Sequence, residues 1–351
     1  MDASFPSPIL RYNPFGKCLP KMNTPVDITK THVVHQWKYD APLIACRFAP
    51  DGLQVAASSE DNTVQLWKVP GGEKQVLKGH DSWVHALCYT QDGQQLVSGG
   101  CDGRLIWWSA KAETPAEIRR IDAHAGWIRA IAVSPDGSTL ASVGNDKLVK
   151  LWNVATGELL GQMEGHERHV YSVLFHPDGS KLVSGDLLGK IHVWNLAERK
   201  LERTIDATPL YEPNKGQAAE YGGVRTLALS LSRGELIAGG THKATNPFGA
   251  VHEPLLLRFG WEDGVLRKTH VCDGVPGGML WRAQWLEDGT AIGVSGGSTG
   301  GIFLFFNDTQ EKDIHRTMLP SLARDMDVHL GSNSVATIHY DTHLRVSILN
   351  A

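Results

Sequence analysis

One interval governs this chain. An apolar residue followed by tryptophan closes a short segment at Leu66-Trp67, Trp107-Trp108, Leu151-Trp152 and Val193-Trp194, at steps of 41, 44 and 42 residues. A Gly-His or Ala-His pair recurs at His80, His124 and His166, with steps of 44 and 42. An Asp-Gly turn after Pro or Gln recurs at Asp51-Gly52, Asp92-Gly93, Asp136-Gly137 and Asp178-Gly179. Three markers of different chemistry share one period. A unit of that length cannot bury its apolar face alone, so it must stack on copies of itself.

The units read as strands. TVQLWKV, RLIWWSA and LVKLWNV are short β-branched or aromatic segments bounded by Gly, Asp and Asn. Asp-Gly turns suit tight connections between antiparallel neighbours. No segment holds an apolar stripe at helical spacing beyond about two turns. The fold class is all-β.

Composition removes several functions. Thirty-four Lys and Arg against 38 Asp and Glu give a formal charge of −4, without a long run of like charge. Nucleic-acid and membrane-surface binders carry a basic face, so both rank low. No apolar run approaches the roughly 18 residues of a membrane span. The start, MDASFPSPILRYNPFGKCLP, lacks the pattern of a secretory signal. Cys18, Cys46, Cys88, Cys101 and Cys272 are odd in number, scattered and without a CxxC pair. They argue against a disulfide framework and a zinc site, and for a reducing, cytoplasmic setting.

With these markers the chain resembles the WD-repeat β-propeller family, whose units form four-stranded blades around a channel. The resemblance is strong over residues 38–206 and fades beyond. Later units keep GGVRTLALS as an inner strand, Phe259 and Phe306 where Trp would stand, the Asp288-Gly289 turn, and Asp341 before LRVSIL. From Trp37 to the C-terminus there are 315 residues, seven units of 45; eight would be shorter than every observed step. The last unit ends after its third strand, and THVVHQW (31–37) is an orphan strand before the first. The resemblance implies that this strand completes the seventh blade and removes two open edges. Residues 31–351 are then one propeller domain, and residues 1–30, with five prolines, a tail.

The resemblance also assigns a structural role to a repeated His, Ser, Asp and Trp. Two units match it fully: His80, Ser98, Asp102 and Trp108, then His124, Ser142, Asp146 and Trp152. Buried His and Trp N–H groups each need a partner. A catalytic Ser-His-Asp is the competing reading, and recurrence argues against it. Unit four keeps His166, Ser184 and Trp194 but places Leu188 at the Asp position; unit one has Tyr39, Ala57, Asp61 and Trp67. His339 and His343 fit a strand turn as well as a metal pair. The Gly-rich 293–301 has no GK[ST], so it reads as a strand connection.

Propellers of this kind bind through the face where the innermost strands begin. Two long insertions belong there, residues 207–222 and 243–254, with 271–278 leading onward; long loops in a compact domain tend to be functional. Alignment of the inner strands on the Asp-Gly turn gives one entrance position per unit: Ile44, His85, Arg129, Tyr171, Arg225, Trp281 and Arg324. Two residues earlier stand Trp83, Trp127 and His169. Arginine and aromatic residues are favoured at interaction hot spots. The competing reading pairs each Arg with a loop acid such as Glu220 or Asp325.

The expected protein is a noncatalytic scaffold that binds a protein or peptide, acidic or phosphorylated, on the top face around blade five. No cofactor and no metal are implied. The alternative is a small-molecule-binding or enzymatic propeller at the channel mouth.

Overall fold

Each repeat folds as a meander because its alternating apolar residues are punctuated by residues that favour turns. Blade 2 shows the plan: Val84–Tyr89 innermost, then Gln95–Gly100, Arg104–Ser109 and Glu117–Asp122 outermost. Its first turn is held by Asp92, whose Oδ1 accepts the Gln94 N–H at 3.0 Å and the Thr90 hydroxyl at 2.7 Å. Gly93 closes that turn at φ +68°, where a side chain would be strained.

The computed structural model describes residues 26–214, 219–244, 252–275, 277–297 and 300–349. They form seven four-stranded antiparallel sheets and one two-stranded hairpin. Among the described residues the only helical elements are single 3-10 turns at Ile28–Lys30, Thr208–Leu210 and Leu330–Ser332. Seven blades are therefore present, each inner strand lining the ring.

The tryptophans explain why blades stack. Adjacent strand residues point to opposite faces, so Trp107 and Trp108 pack in opposite directions. Trp108 meets Leu66 and Leu77 of blade 1, whereas Trp107 meets Ile128, Leu140 and Trp152 of blade 3. Both rings are almost wholly buried, and truncating such a ring costs about 3–5 kcal/mol. In blades 5 and 6 Phe259 and Phe306 stand in for Trp and pack towards blades 4 and 5.

Closure uses both ends. The seventh sheet joins Ala323–His329, Ser334–His339 and His343–Ile348 to His32–Lys38. The pairing is antiparallel, from His32 opposite Ile348 to Lys38 opposite His343. Of the tail expected at 1–30, residues 1–25 lie outside the described residues. Val26 and Ile28 pack against the apolar cluster of Leu286, Phe303 and Phe305.

The two insertions start from the same end of the ring. Residues 211–214 and 219–222 pair as a hairpin before the inner strand of blade 5. Between that blade's second and third strands, Lys243 donates its N–H to Glu212 Oε1 at 3.1 Å, linking the insertions. Residues 215–218, 245–251, 276 and 298–299 lie outside the described residues.

Candidate functional site

The repeated polar residues form closed hydrogen-bonded chains inside the blades. In blade 2 the Trp108 indole N–H donates to Ser98 Oγ at 2.8 Å, and that hydroxyl donates to His80 Nε2 at 2.8 Å. His80 Nδ1–H then donates to Asp102 at 2.9 Å. Blade 3 repeats the chain through Trp152, Ser142, His124 and Asp146 at 2.7, 2.7 and 2.8 Å. Burial opposes ionisation of Asp102, but the bond from His80 and the Asp81 and Arg104 N–H groups hold its carboxyl low. Buried donors are satisfied in series, and the Ser98 and Ser142 hydroxyls are wholly buried within these chains of bonds.

Blade 4 corrects one expectation. Leu188 does not stand in for the aspartate; Asp186 does, its Oδ2 2.9 Å from His166 Nδ1. The corresponding residue of blade 2 is Gly100, two positions after the serine as Asp186 is after Ser184. A Cβ built on Gly100 falls 2.4 Å from Asp102 Oδ1 and 2.6 Å from His80 Nδ1. That backbone position already points at the carboxylate site, so an Asp there fills it directly. In blade 1 Tyr39 donates to Asp61 Oδ2 at 2.9 Å, and the Trp67 indole N–H, facing Ala57, has no partner.

The entrance positions share one backbone feature. Ile44, His85, Arg129, Tyr171, Trp281 and Arg324 each sit at a register break in the pairing of the innermost strand. Arg225 stands just before the inner strand of blade 5, its N–H donating to Gly239 at 2.9 Å. A bulge takes a residue out of the sheet's alternation and re-aims its side chain. Each of these positions leads its strand at the end of the ring that carries the insertions.

Four of the positions join with Trp127 into one stack across blades 2 to 5. His85 stacks on Trp127, centroids 5.9 Å apart. The Arg129 guanidinium lies 4.5 Å from the Trp127 ring and 5.2 Å from Tyr171. Arg225 lies 3.7 Å from the other partner, Tyr171. Trp83 and Trp127 remain 43% and 39% exposed, unusual for indole rings. Trp281 and Arg324 are not drawn into this stack. Trp281 packs against the apolar cluster under blades 6 and 7, and Arg324 bonds Glu60 Oε1 at 2.6 Å and lies 4.8 Å from Tyr340.

The loop acids do not neutralise this stack. Glu220 pairs with Arg168 at 2.9 Å and accepts the Tyr211 hydroxyl. Asp325 pairs with Arg47 and Arg282, each at 2.7 Å. Arg129 donates instead to the neutral Asn145 Oδ1 at 2.8 Å, and Arg225 Nε is buried without a partner. Among the described residues no carboxylate pairs with either. Burial lowers the pKa of both guanidinium groups. It also pushes His85 down to about 4, aided by Arg129, Arg324 and Arg225.

Sequence reasoning missed a second ring. Glu60, Cys101, Asn145, Leu187 and Tyr340 each donate their N–H two residues before an entrance position, to Pro42, Trp83, Trp127, His169 and Leu322. The members share a place, not a chemistry, which hides them from motif reading. The His339 ring is spent on Ser321 O and Thr337, both at 2.9 Å. Among the described residues no cluster of three ligating side chains occurs. Nor is any described helix long and apolar enough to cross a membrane.

Comparison with known proteins agrees with the blades. The model of the WD domain, G-beta repeat, matches residues 29–68, 71–109, 116–153 and 157–195. Protein hir1 of Schizosaccharomyces pombe is 32% identical over 132 residues, which is 32% of this chain and 14% of that protein. Ribosome assembly protein 4 of Chaetomium thermophilum is 32% identical over 91 residues, 24% of this chain and 18% of its own. The intraflagellar transport protein 122 homolog of Danio rerio is 33% identical over 92 residues, 25% and 7% respectively. The matched stretch thus spans less than a fifth of each of these relatives.

Proposed function

The chain is a WD-repeat β-propeller, and we propose that it is a noncatalytic module presenting its top face to a protein or peptide. The site comprises Trp83, His85, Trp127, Arg129, Tyr171 and Arg225, flanked by the blade 5 insertions, with Trp281 and Arg324 across the mouth. Its ligand is an acidic or phosphorylated segment. One observation carries this reading: Arg225 is largely buried on Tyr171, with Nε unpaired and no carboxylate against it. A guanidinium held that way is desolvated in advance and offers its fork to a carboxylate or phosphate. The exposed indoles of Trp83 and Trp127 add flat apolar area of the kind that anchors interfaces.

Other features support the same reading. The His-Ser-Asp chains are consumed in bonds inside the blades, which suits structure better than turnover. The matched relatives' names place WD-repeat chains in multi-component processes such as ribosome assembly and intraflagellar transport. Four described cysteines are unpaired, consistent with a reducing compartment such as the cytoplasm.

The test compares wild type with a variant carrying Arg129→Ala, Arg225→Ala, Trp281→Ala and Arg324→Ala. Both would be titrated with acidic peptides, with and without phosphoserine, and used in parallel affinity captures. Each hot-spot side chain should be worth about 1 kcal/mol or more. Equal peptide affinities and identical captured partners would move the site off this face.

A further inference from the structure

We infer that the mouth takes up a proton together with its anion, His85 becoming a charged donor beside Arg129 and Arg225. This rests on the anion reading above and adds its regulation. His85 occupies in blade 2 the bulged position that Arg129 occupies in blade 3, and Arg225 stands at the equivalent place just before the inner strand of blade 5. It shares Trp127 with Arg129: the imidazole stacks on the indole at 5.9 Å and the guanidinium lies 4.5 Å from it. Its Nε2 is buried and has no partner. An imidazole in that state lacks an acceptor, and an incoming oxyanion is one.

The surroundings keep the free ring neutral. Burial comes first, then three guanidinium groups, Arg129 from blade 3, Arg324 from blade 7 and Arg225 from blade 5, bringing His85 to about 4. Blade 1 contributes only Ile44 at the equivalent position. In its own blade Cys101 is a neutral thiol, pushed up to about 11 by burial. Glu60, the acid on the Arg324 side, is already bonded to that arginine. His169, the other imidazole influenced by Arg129, is also lowered, by burial first and then by that arginine.

A bound anion leaves the burial in place but acts against the lowering in two ways. It offsets the three positive charges and gives the ring N–H an acceptor, so the imidazole pKa rises on binding. Between the free and the bound values, binding draws in a proton. Affinity then increases as pH falls through that window, by up to tenfold for each pH unit. The mouth would hold its ligand more tightly in a mildly acidic setting.

Inorganic sulfate is the probe, because it stays a dianion from pH 4.5 to 8 and adds no titration of its own. Binding is followed by tryptophan fluorescence and by calorimetry in two buffers of different ionisation enthalpy. Sulfate should bind wild type at least fivefold more tightly at pH 5 than at pH 7.5, with net proton uptake. His85→Asn should lose that ratio, and His169→Asn should keep it. Thermal unfolding of each variant checks the fold. A flat wild-type profile, or a ratio that survives in His85→Asn, overturns the proton linkage while leaving the anion site standing. If Arg225→Ala binds sulfate like wild type at both pH values, or if sulfate never binds, the anion reading fails as well.

Discussion

His166 Nδ1 lies 2.9 Å from Asp186 Oδ2, the same separation as between His80 Nδ1 and Asp102 Oδ2, although Asp186 comes from the strand and Asp102 from the turn after it. Two sequence solutions deliver a carboxylate to one point in space. The histidine therefore requires an acceptor there, and the backbone that supplies it is free to vary. Asp186 also accepts the Lys190 N–H at 2.9 Å, so it ties the following turn as Asp102 does through Arg104.

Removing this acceptor should destabilise three blades alike. Asp102→Ala, Asp146→Ala and Asp186→Ala each leave a buried histidine N–H unpaired, at about 1–3 kcal/mol per orphaned group. Leu188→Ala should act through packing alone, because its side chain takes no part in the chain of bonds. Urea unfolding monitored by tryptophan fluorescence reads all four. Equal midpoints for Asp186→Ala and wild type would show that the bond is dispensable.

The seventh blade makes a second expectation. His32–Lys38 is the outermost strand of a sheet whose other three strands come from the far end of the chain. Deleting it strips the backbone partners from His343–Ile348 and exposes an edge prone to pair with another chain. It also uncovers Trp67, against which Trp37 stacks with centroids 6.2 Å apart. The truncated chain should aggregate or melt well below the full one, as size-exclusion chromatography and thermal unfolding would show. An unchanged melting temperature would mean the ring closes without it.

How much of this was legible in the sequence depended on spacing. Blades 1 to 4 announce themselves because Trp, His and Asp-Gly recur together. The bulged positions were reachable because six residues separate them from the turn: Ile44 to Pro50, His85 to Gln91, Arg129 to Pro135, Tyr171 to Pro177. Asp186 escaped because a motif counted from the serine looks four residues on, and the acid sits two residues on. Asn145 and Glu60 escaped because their shared turn position carries a different residue type in every blade. The contacts between blades 6, 7 and 1 also escaped: those from blade 7 to blade 1 join residues almost 280 positions apart, and those from blade 6 to blade 7 lie in units of weak pattern.

Those contacts yield the last expectation. Phe48 of blade 1 donates its N–H to Asp327 Oδ2 at 2.8 Å, and Gln284 of blade 6 donates to Asp327 Oδ1 at 3.2 Å. Neighbouring Asp325 accepts from Arg47 and Arg282, so Asp327 is left with neutral donors. Burial pushes the Asp327 carboxyl up to about 6, against the pull of Arg47. An aspartate in the unfolded chain titrates near 3.9. Between about pH 4 and 6 the folded protein thus holds the proton more tightly than the unfolded chain does. Stability falls as pH rises through that window, and the penalty is complete above it. Asp327→Asn keeps an acceptor for Phe48 and removes the charge. Because Asp327 is only half-buried, water screens part of the penalty. The variant should gain about 1–2 kcal/mol at pH 7.5 and only about a third of that at pH 4.5, where the folded acid is protonated but the unfolded one is already mostly ionised. Asp325→Asn should do the reverse and lose stability, since it leaves two guanidinium groups without their acid. Urea unfolding of the three proteins at both pH values gives the comparison. A gain for Asp327→Asn that is equal at the two pH values would assign it to packing, and a loss at pH 7.5 would mean the ionised carboxylate holds the seam.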